Sequence, residues 1–474
     1  MAIRVGLLAM FCAAGVAPAA QFDMTASQAG DRVILTFRPI QAADAITGRP
    51  YSATLTSERT LADGTRMIQP GRRVYRDSQG RTRTEELRPI GYADPFLVVE
   101  IVDPVAGYSY LLDSQNRVAH RLAVKVNSKP AVRAKVVCAT ESSANTGTMK
   151  DGSAMTTEPL AAQMVEGVSF CGSKTTSIYP PDSMFHNDRP VTVVNEMWTA
   201  WDDGLPFSLH KNSWPGGQSS VSWIKAVSLS EPDSALFRPG PEYSVVDESG
   251  TFAISLPRSS PVPGVRQVTA LTEMPFSAEQ DFERRRTDPG GATMTQEFSM
   301  FYYRDGRGRT ASGRMAADSS GKQVFQPTNL TDPVAGYSYN FDHEGKIAHR
   351  RTVQVKFKPA SEATLPAAEA TKTDTMKNGV VSVFEWLGTQ TIGGYETVGR
   401  RDTLRYPPGT MGGNDRAFVT SNEFWTSPVL GIALLAKMSH PEAGDSVATI
   451  RNLHLGEPDP AMFRVPDGYR VVDY

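Results

Sequence analysis

Two histidines carry the most pointed chemistry in this 474-residue sequence. His120 and His349 each sit in an Ala-His-Arg triplet. Each triplet follows an Asp-Pro-Val-Ala-Gly-Tyr-Ser-Tyr stretch, Asp103 to Tyr110 and Asp332 to Tyr339. Imidazole titrates near neutrality, so a histidine on a strand face can serve as a general base, a ligand contact or a pH switch. Counting back from the turns Asp113 to Arg117 and Asp342 to Lys346 places Tyr110 opposite His120 and Tyr339 opposite His349. The same register sets Leu112 against Val118 and Phe341 against Ile347, with Tyr108 and Tyr337 further along the tyrosine face. It expects Asn116 and Gly345 in the left-handed conformation of a three-residue loop. Arg351 shares the His349 face where the first copy has Leu122, and a charge there requires a partner. The plainer alternative is a partly buried Tyr–His pair held by a hydrogen bond.

Other chemistries find little support. The seven histidines are scattered, with no His-x-His or His-Glu-x-x-His spacing, so no metal and no cofactor is expected. There is no Gly-x-Ser-x-Gly elbow. The Gly412-Gly-Asn stretch does not open a helix, which argues against nucleotide binding. No catalytic residue is assigned. The aromatic set Tyr108, Tyr110, Trp198, Tyr337, Tyr339, Phe341 and Trp425 reads as sheet core, or as the walls of an apolar ligand site if the sheet is open. Cys138 and Cys171 form an even pair and are disulfide candidates in an oxidising compartment. The second copy has Val398 in place of Cys171.

The elements that position these residues come from a duplication. The offset is 332 − 103 = 229 at the central motif and 457 − 231 = 226 at the closing Glu-Pro-Asp motif, Glu231 to Phe237 and Glu457 to Phe463. Self-similarity at near-constant spacing means two copies of one unit. The Tyr-Arg-Asp turns Tyr75 to Arg81 and Tyr303 to Arg309 read as hairpins, with Gly80 and Gly308 left-handed and Asp paired to Arg across the loop. Alternating apolar and polar residues and a rich supply of Thr, Val, Tyr and Gly point to antiparallel strands. The expected division is a signal peptide at 1–20, a first repeat at 21–247 and a second at 248–474, with a Pro/Ser-rich linker at about 248–264. Long loops at Asn127 to Thr157 and Lys358 to Asn378 read as mobile.

The Tyr-Arg-Asp turn, the Asp-Pro-Val-Ala-Gly-Tyr and Ala-His-Arg motifs, a Leu-Gly-x-Gln-x-Ile-x-Gly stretch and the closing Glu-Pro-Asp motif resemble a group of exported bacterial proteins of unassigned activity. The later part is similar to the half-barrel superfamily called LolA-like or RseB-like. In that superfamily a curled antiparallel sheet, partly plugged by short helical segments, holds acyl chains or peptide on its concave face. The first copy departs from the pattern at Leu160 to Gly167, which reads Leu-Ala-Ala-Gln-Met-Val-Glu-Gly.

The resemblance implies a mainly β fold of two tandem, strongly curved antiparallel sheets. The leading expectation is an exported, periplasmic or extracellular, non-enzymatic binding or carrier protein for a hydrophobic small molecule or lipid. Its candidate ligand contacts are Tyr108, Tyr110, His120, Trp198, Tyr337, Tyr339, His349, Arg351 and Trp425. A sensor or scaffold that binds an envelope protein is the alternative, and a His-centred enzyme the third reading. A net charge of −2 argues against nucleic acid as the main partner, and no stretch of the mature chain has the length and apolarity of a membrane span.

Overall fold

The computed structural model describes residues 22–29, 32–40, 44–90, 93–130, 138, 144–200, 205–257, 267–287, 291–318, 320–343, 345–376 and 378–473. The expected signal peptide lies outside the described residues. The chain divides into two compact units, Met1–Ser183 with Pro190–Ser260, and Met184–Arg189 with Pro261–Tyr474. Each is built on one large, mainly antiparallel sheet, of 14 strands in the first unit and 13 in the second. No α-helix occurs among the described residues. Short 3-10 turns at Ser234–Phe237, Ala360–Glu362 and Pro460–Phe463 are the helical segments.

The two sheets share one wiring. In the first unit the strand Tyr51–Thr60 lies mid-sheet, and the chain steps outward through Arg72–Arg76, Thr82–Ile90, Ala93–Asp103, Tyr108–Asp113 and Val118–Ala123. It then reappears at the opposite edge as Asn145–Thr148. From there it returns inward through Ala154–Val165, Val168–Tyr179, Val191–Ala200 and Ser208–Trp214 to Gln218–Ser228, which pairs with Tyr51–Thr60. The second unit repeats this from Phe276–Thr287 outward to Ile347–Thr352. It returns from Lys372–Thr375 to Gly444–Leu455, which closes on Phe276–Thr287. Alternation drives the strands: along Phe276–Thr287, Phe276, Ala278, Gln280 and Phe282 are buried and the residues between them are not.

Buried carboxylates set the hairpins. Asp77, only 1% exposed, accepts the backbone N–H groups of Gln79 (3.0 Å) and Arg81 (2.8 Å) through Oδ1, while Oδ2 takes Arg81 Nε. Asp305 does the same for Arg307 and Arg309. Gly80 and Gly308 hold φ of 85° and 84°, as the turn sequence predicts. Each arginine also lies over a phenylalanine of a 3-10 turn, Arg81 over Phe237 at 5.3 Å and Arg309 over Phe463 at 5.0 Å. The repeated hairpin ends thereby dock the closing motif onto the sheet.

The central hairpin corrects the expected register. Asp113 pairs with Val118, so His120 faces Leu111 and Arg121 faces Tyr110. In the second copy His349 faces Asn340 and Arg350 faces Tyr339. Leu112 and Phe341 pair with Ala119 and Ala348. Asp113 Oδ1 takes the N–H groups of both Gln115 and Asn116. That holds the loop in a helical turn for one more residue, so the left-handed position falls on Arg117 (φ 54°) and Lys346 (φ 48°), not on Asn116 and Gly345. A one-residue shift moves every side chain to the other face. The histidines therefore lie on the face opposite the tyrosines.

On the tyrosine face a clamp recurs. Arg121 lies 4.6 Å over the Tyr108 ring and reaches Asp247 (Nη2 to Oδ2, 2.8 Å). Arg350 lies 4.6 Å over Tyr337 and reaches Asp473 at 2.8 Å. These pairs hold the final strands, Ser244–Asp247 and Arg470–Asp473, parallel to the histidine strands at the sheet edge.

Two further expectations change. Part of the segment read as linker is a strand: Phe252–Pro257 pairs with Arg32–Pro39, which also pairs with Phe22–Ala29. Phe252, Ile254 and Leu256 alternate inward, a strand pattern outweighed in the sequence by the neighbouring prolines and serines. The long loops also carry edge strands, Asn145–Thr148 and Lys372–Thr375, each hydrogen-bonded to the sheet.

Removing the buried turn carboxylate leaves three part-buried donors, the N–H groups of Arg307 and Arg309 and Arg309 Nε, without their acceptor. Asp305→Ala should cost about 2–3 kcal/mol, seen by denaturant unfolding. A loss below about 0.5 kcal/mol, the range of a neutral surface substitution, would contradict this role.

Candidate functional site

His120 is part-buried beside an apolar core. Its Nδ1 is 2.7 Å from Glu248 Oε1 and its ring stacks on Phe252 with centroids 4.5 Å apart. Leu111 and Leu122 on the same face pack with Phe96 and with Phe37 and Leu35 of the three-stranded sheet that includes Phe252–Pro257. Tyr110 packs on the other face with Val99, Ile101 and Ala119, and Tyr108 is covered by Arg121. The second copy places Asn340 and Arg351 where the first has Leu111 and Leu122, so its histidine face is polar. His349 is half-buried, and burial pushes its imidazole below the ordinary value. Tyr339 packs with Leu330, Phe341 and Phe463, and Tyr337 lies under Arg350. The Tyr–His pairs are thus not assembled, and the tyrosines serve packing and the edge clamp.

Trp198 and Trp425 each lie against a glycine of the neighbouring strand. The Trp425 ring lies over Gly399, where an added Cβ would come within 2.6 Å of it, and Trp198 covers Gly172 in the same way. Trp425 Nε1 donates to Glu423 Oε1 at 2.9 Å, and Arg401 reaches the other oxygen at 2.8 Å. Trp425 and Arg401 together hold the Glu423 carboxyl below its ordinary value. By alternation this network occupies the face opposite Phe424 and Arg400.

That opposite face holds a hollow of about 280 Å³ in the second unit. Its walls are Phe384, Trp386, Val398, Thr426 and Pro428 from the sheet side, Pro366 and Glu369 from the segment after the central hairpin, and Arg400. Trp386 pairs across the sheet with Arg400, and Arg400 with Phe424. The row continues through Ala436 and Ala448 to Phe282. The walls are apolar with two charged groups. Glu369 is ion-paired with Lys372, whose Nζ also lies 5.8 Å from the Phe384 ring. Arg400 is half-exposed and lies 5.9 Å over Phe424. Its one ion pair among the described residues, to Asp402, is loose at 3.7 Å.

The same row in the first unit has different chemistry. Pro159, Ser173, Met197, His210, Ser222 and Ser57 follow one another across the strands. Cys171 stands at the Val398 position, and its sulfur is at bonding distance from Cys138, with Cα atoms 5.3 Å apart. The segment after the central hairpin is thereby tied to the sheet where the second unit has its hollow. His210 Nε2 lies 3.0 Å from Ser208 Oγ, and burial lowers its basicity. Among the described residues no carboxylate hydrogen-bonds the His210 ring, so this pair lacks the orienting acid of a nucleophilic triad. No cluster of three or more metal-binding side chains occurs among the described residues.

Sequence reasoning missed Phe384, Trp386, Val398 and Arg400. Their alternation was visible, but only cross-strand register brings them together. Compared with known proteins, the chain matches no family model and no curated relative.

Two predictions follow from the burial of titratable and thiol groups. His343 and His349 both have imidazoles lowered by burial, so the unfolded chain binds their protons more tightly. Their contribution is intact above the ordinary value of 6.5 and is lost as pH falls from there through the folded value. The melting temperature should drop between pH 7.5 and 5.5, and drop less in a His343→Gln/His349→Gln variant. Equal sensitivity in both proteins would contradict the assignment. Alkylation of the oxidised, denatured protein should label neither Cys138 nor Cys171, and labelling of both would refute the bond.

Proposed function

We propose that this is an exported, non-enzymatic binding or carrier protein of half-barrel type. Its second unit holds an apolar small molecule in the hollow beside Trp386 and Val398. The observation that carries the reading is that hollow: about 280 Å³, walled by Phe384, Trp386, Val398, Pro366 and Pro428. Its volume falls just below the roughly 300–1,000 Å³ typical of small-molecule sites, and apolar walls with a few polar groups are their usual composition. Support also comes from the asymmetry of the copies. Ser173, His210, Ser222 and Ser57 make the matching row of the first unit polar, and Cys171 stands at the Val398 position. A binding role divided in this way leaves the first unit as a scaffold.

The test is a titration of the full chain with the uncharged fluorescent probe N-phenyl-1-naphthylamine. Saturable binding is expected, weakened about tenfold (about 1.4 kcal/mol) in Trp386→Ala and to a lesser extent in the near-isosteric Val398→Thr, with both variants shown to be folded by cooperative melting. Non-saturable binding, or variants that bind like the parent, would overturn the proposal.

A further inference from the structure

We infer that the hollow of the second unit selects a single-chain amphiphile with a monoanionic carboxylate head, and that Arg400 reads that head. The inference rests on the reading of the hollow as a ligand site and adds the charge and class of the ligand.

Charge around the hollow is unevenly matched. Four charged groups stand at or beside the hollow: Glu369, Lys372, Arg400 and Asp402. Glu369 and Lys372 neutralise each other in a close pair. Arg400 and Asp402 do not: they are 3.7 Å apart, beyond hydrogen-bond range, and the arginine side chain is 50% exposed. Among the described residues no hydrogen bond takes up the Arg400 guanidinium. Its remaining contact is the Phe424 ring at 5.9 Å. A planar fork of donors with no hydrogen-bond acceptor among the described residues, on the wall of an apolar hollow, matches a carboxylate in geometry and sign.

The same inventory argues against other heads. A dianionic phosphate would set two negative charges against one loosely paired cation, and the nearby Asp402 carboxylate would repel it more strongly than a monoanion. A cationic head would face Arg400 itself, and the Phe384 ring that could attract it is already approached by Lys372 at 5.8 Å. An uncharged alcohol would leave the guanidinium as it is. Beyond the fork, Trp386, Val398 and Phe384 line the space for a short chain. The first unit offers no counterpart, because Ser173 stands at the Arg400 position, paired across the sheet with Met197 as Arg400 is with Phe424.

Octanoate, octanol and octyl phosphate share one chain length and separate these heads. Their dissociation constants would be measured by displacement of N-phenyl-1-naphthylamine from the full chain, for the parent, Arg400→Gln and Arg400→Lys. The expected result is octanoate binding about tenfold tighter than either octanol or octyl phosphate. Arg400→Gln should bring octanoate to the octanol value, and Arg400→Lys should keep part of the difference. Melting curves of the variants verify folding. Equal binding of octanoate and octanol by the parent, or an octanoate preference that survives Arg400→Gln, overturns the inference while leaving an apolar site. A preference for octyl phosphate overturns it in favour of a dianion. Failure of all three ligands to displace the probe removes the underlying reading as well.

Discussion

Register is the constraint on which this structure depends. In a long antiparallel sheet a slip of one residue exchanges the two faces of every strand beyond it. Carboxylates at the hairpin ends prevent the slip. Asp77 and Asp305 gather two backbone N–H groups and an arginine each, inside the protein. Asp113 and Asp342 cap the central hairpin loops. Acceptors committed to named donors of their own turn do not serve an alternative register without loss of hydrogen bonds. The duplicated turns thus reproduce one frame twice, and the edge strands are fastened by Arg121–Asp247 and Arg350–Asp473.

On that common frame the faces have diverged in complementary directions. At the histidine face the first unit is apolar and covered: Leu111 and Leu122 lie with Phe252 and Leu35 in one core. The second unit sets Asn340 and Arg351 there. At the other end of the sheet the pattern inverts. Ser173, His210, Ser222 and Ser57 make the first unit's row polar, whereas Phe424, Ala436, Ala448 and Phe282 make the second unit's row apolar. The apolar end lies beside the hollow and the half-exposed guanidinium of Arg400, which is only loosely paired with Asp402. Duplication supplied the positions, and the side chains then specialised without altering the wiring.

The sequence displayed the frame more clearly than the site. Matched turns at Tyr75 to Arg81 and Tyr303 to Arg309 announced the hairpins, and Gly80 and Gly308 fell where they were expected. The central hairpin misled because Asp113 can cap either a three-residue or a four-residue loop, and the choice rests on which N–H groups it takes. That one residue moved His120 from the tyrosines to Glu248 and Phe252. Phe252 to Pro257 looked like linker because Pro257 and the following serines outweighed its alternation. The hollow was invisible for a different reason. Trp386, Arg400 and Thr426 are far apart in sequence and become neighbours through a bulge at Trp386/Gly388 and a three-strand register, neither of which composition encodes.

The central claim is that ligand occupies the second unit's sheet and not the matching patch of the first. It is tested most directly by photo-crosslinking the full chain with a diazirine-bearing medium-chain fatty acid and mapping the adducts by mass spectrometry. The account predicts adducts in peptides spanning Phe384 to Arg400 and Thr426 to Pro428, removed by excess unlabelled octanoate. Competed adducts concentrated between Thr157 and Lys174 of the first unit, or spread evenly over both units, would contradict it.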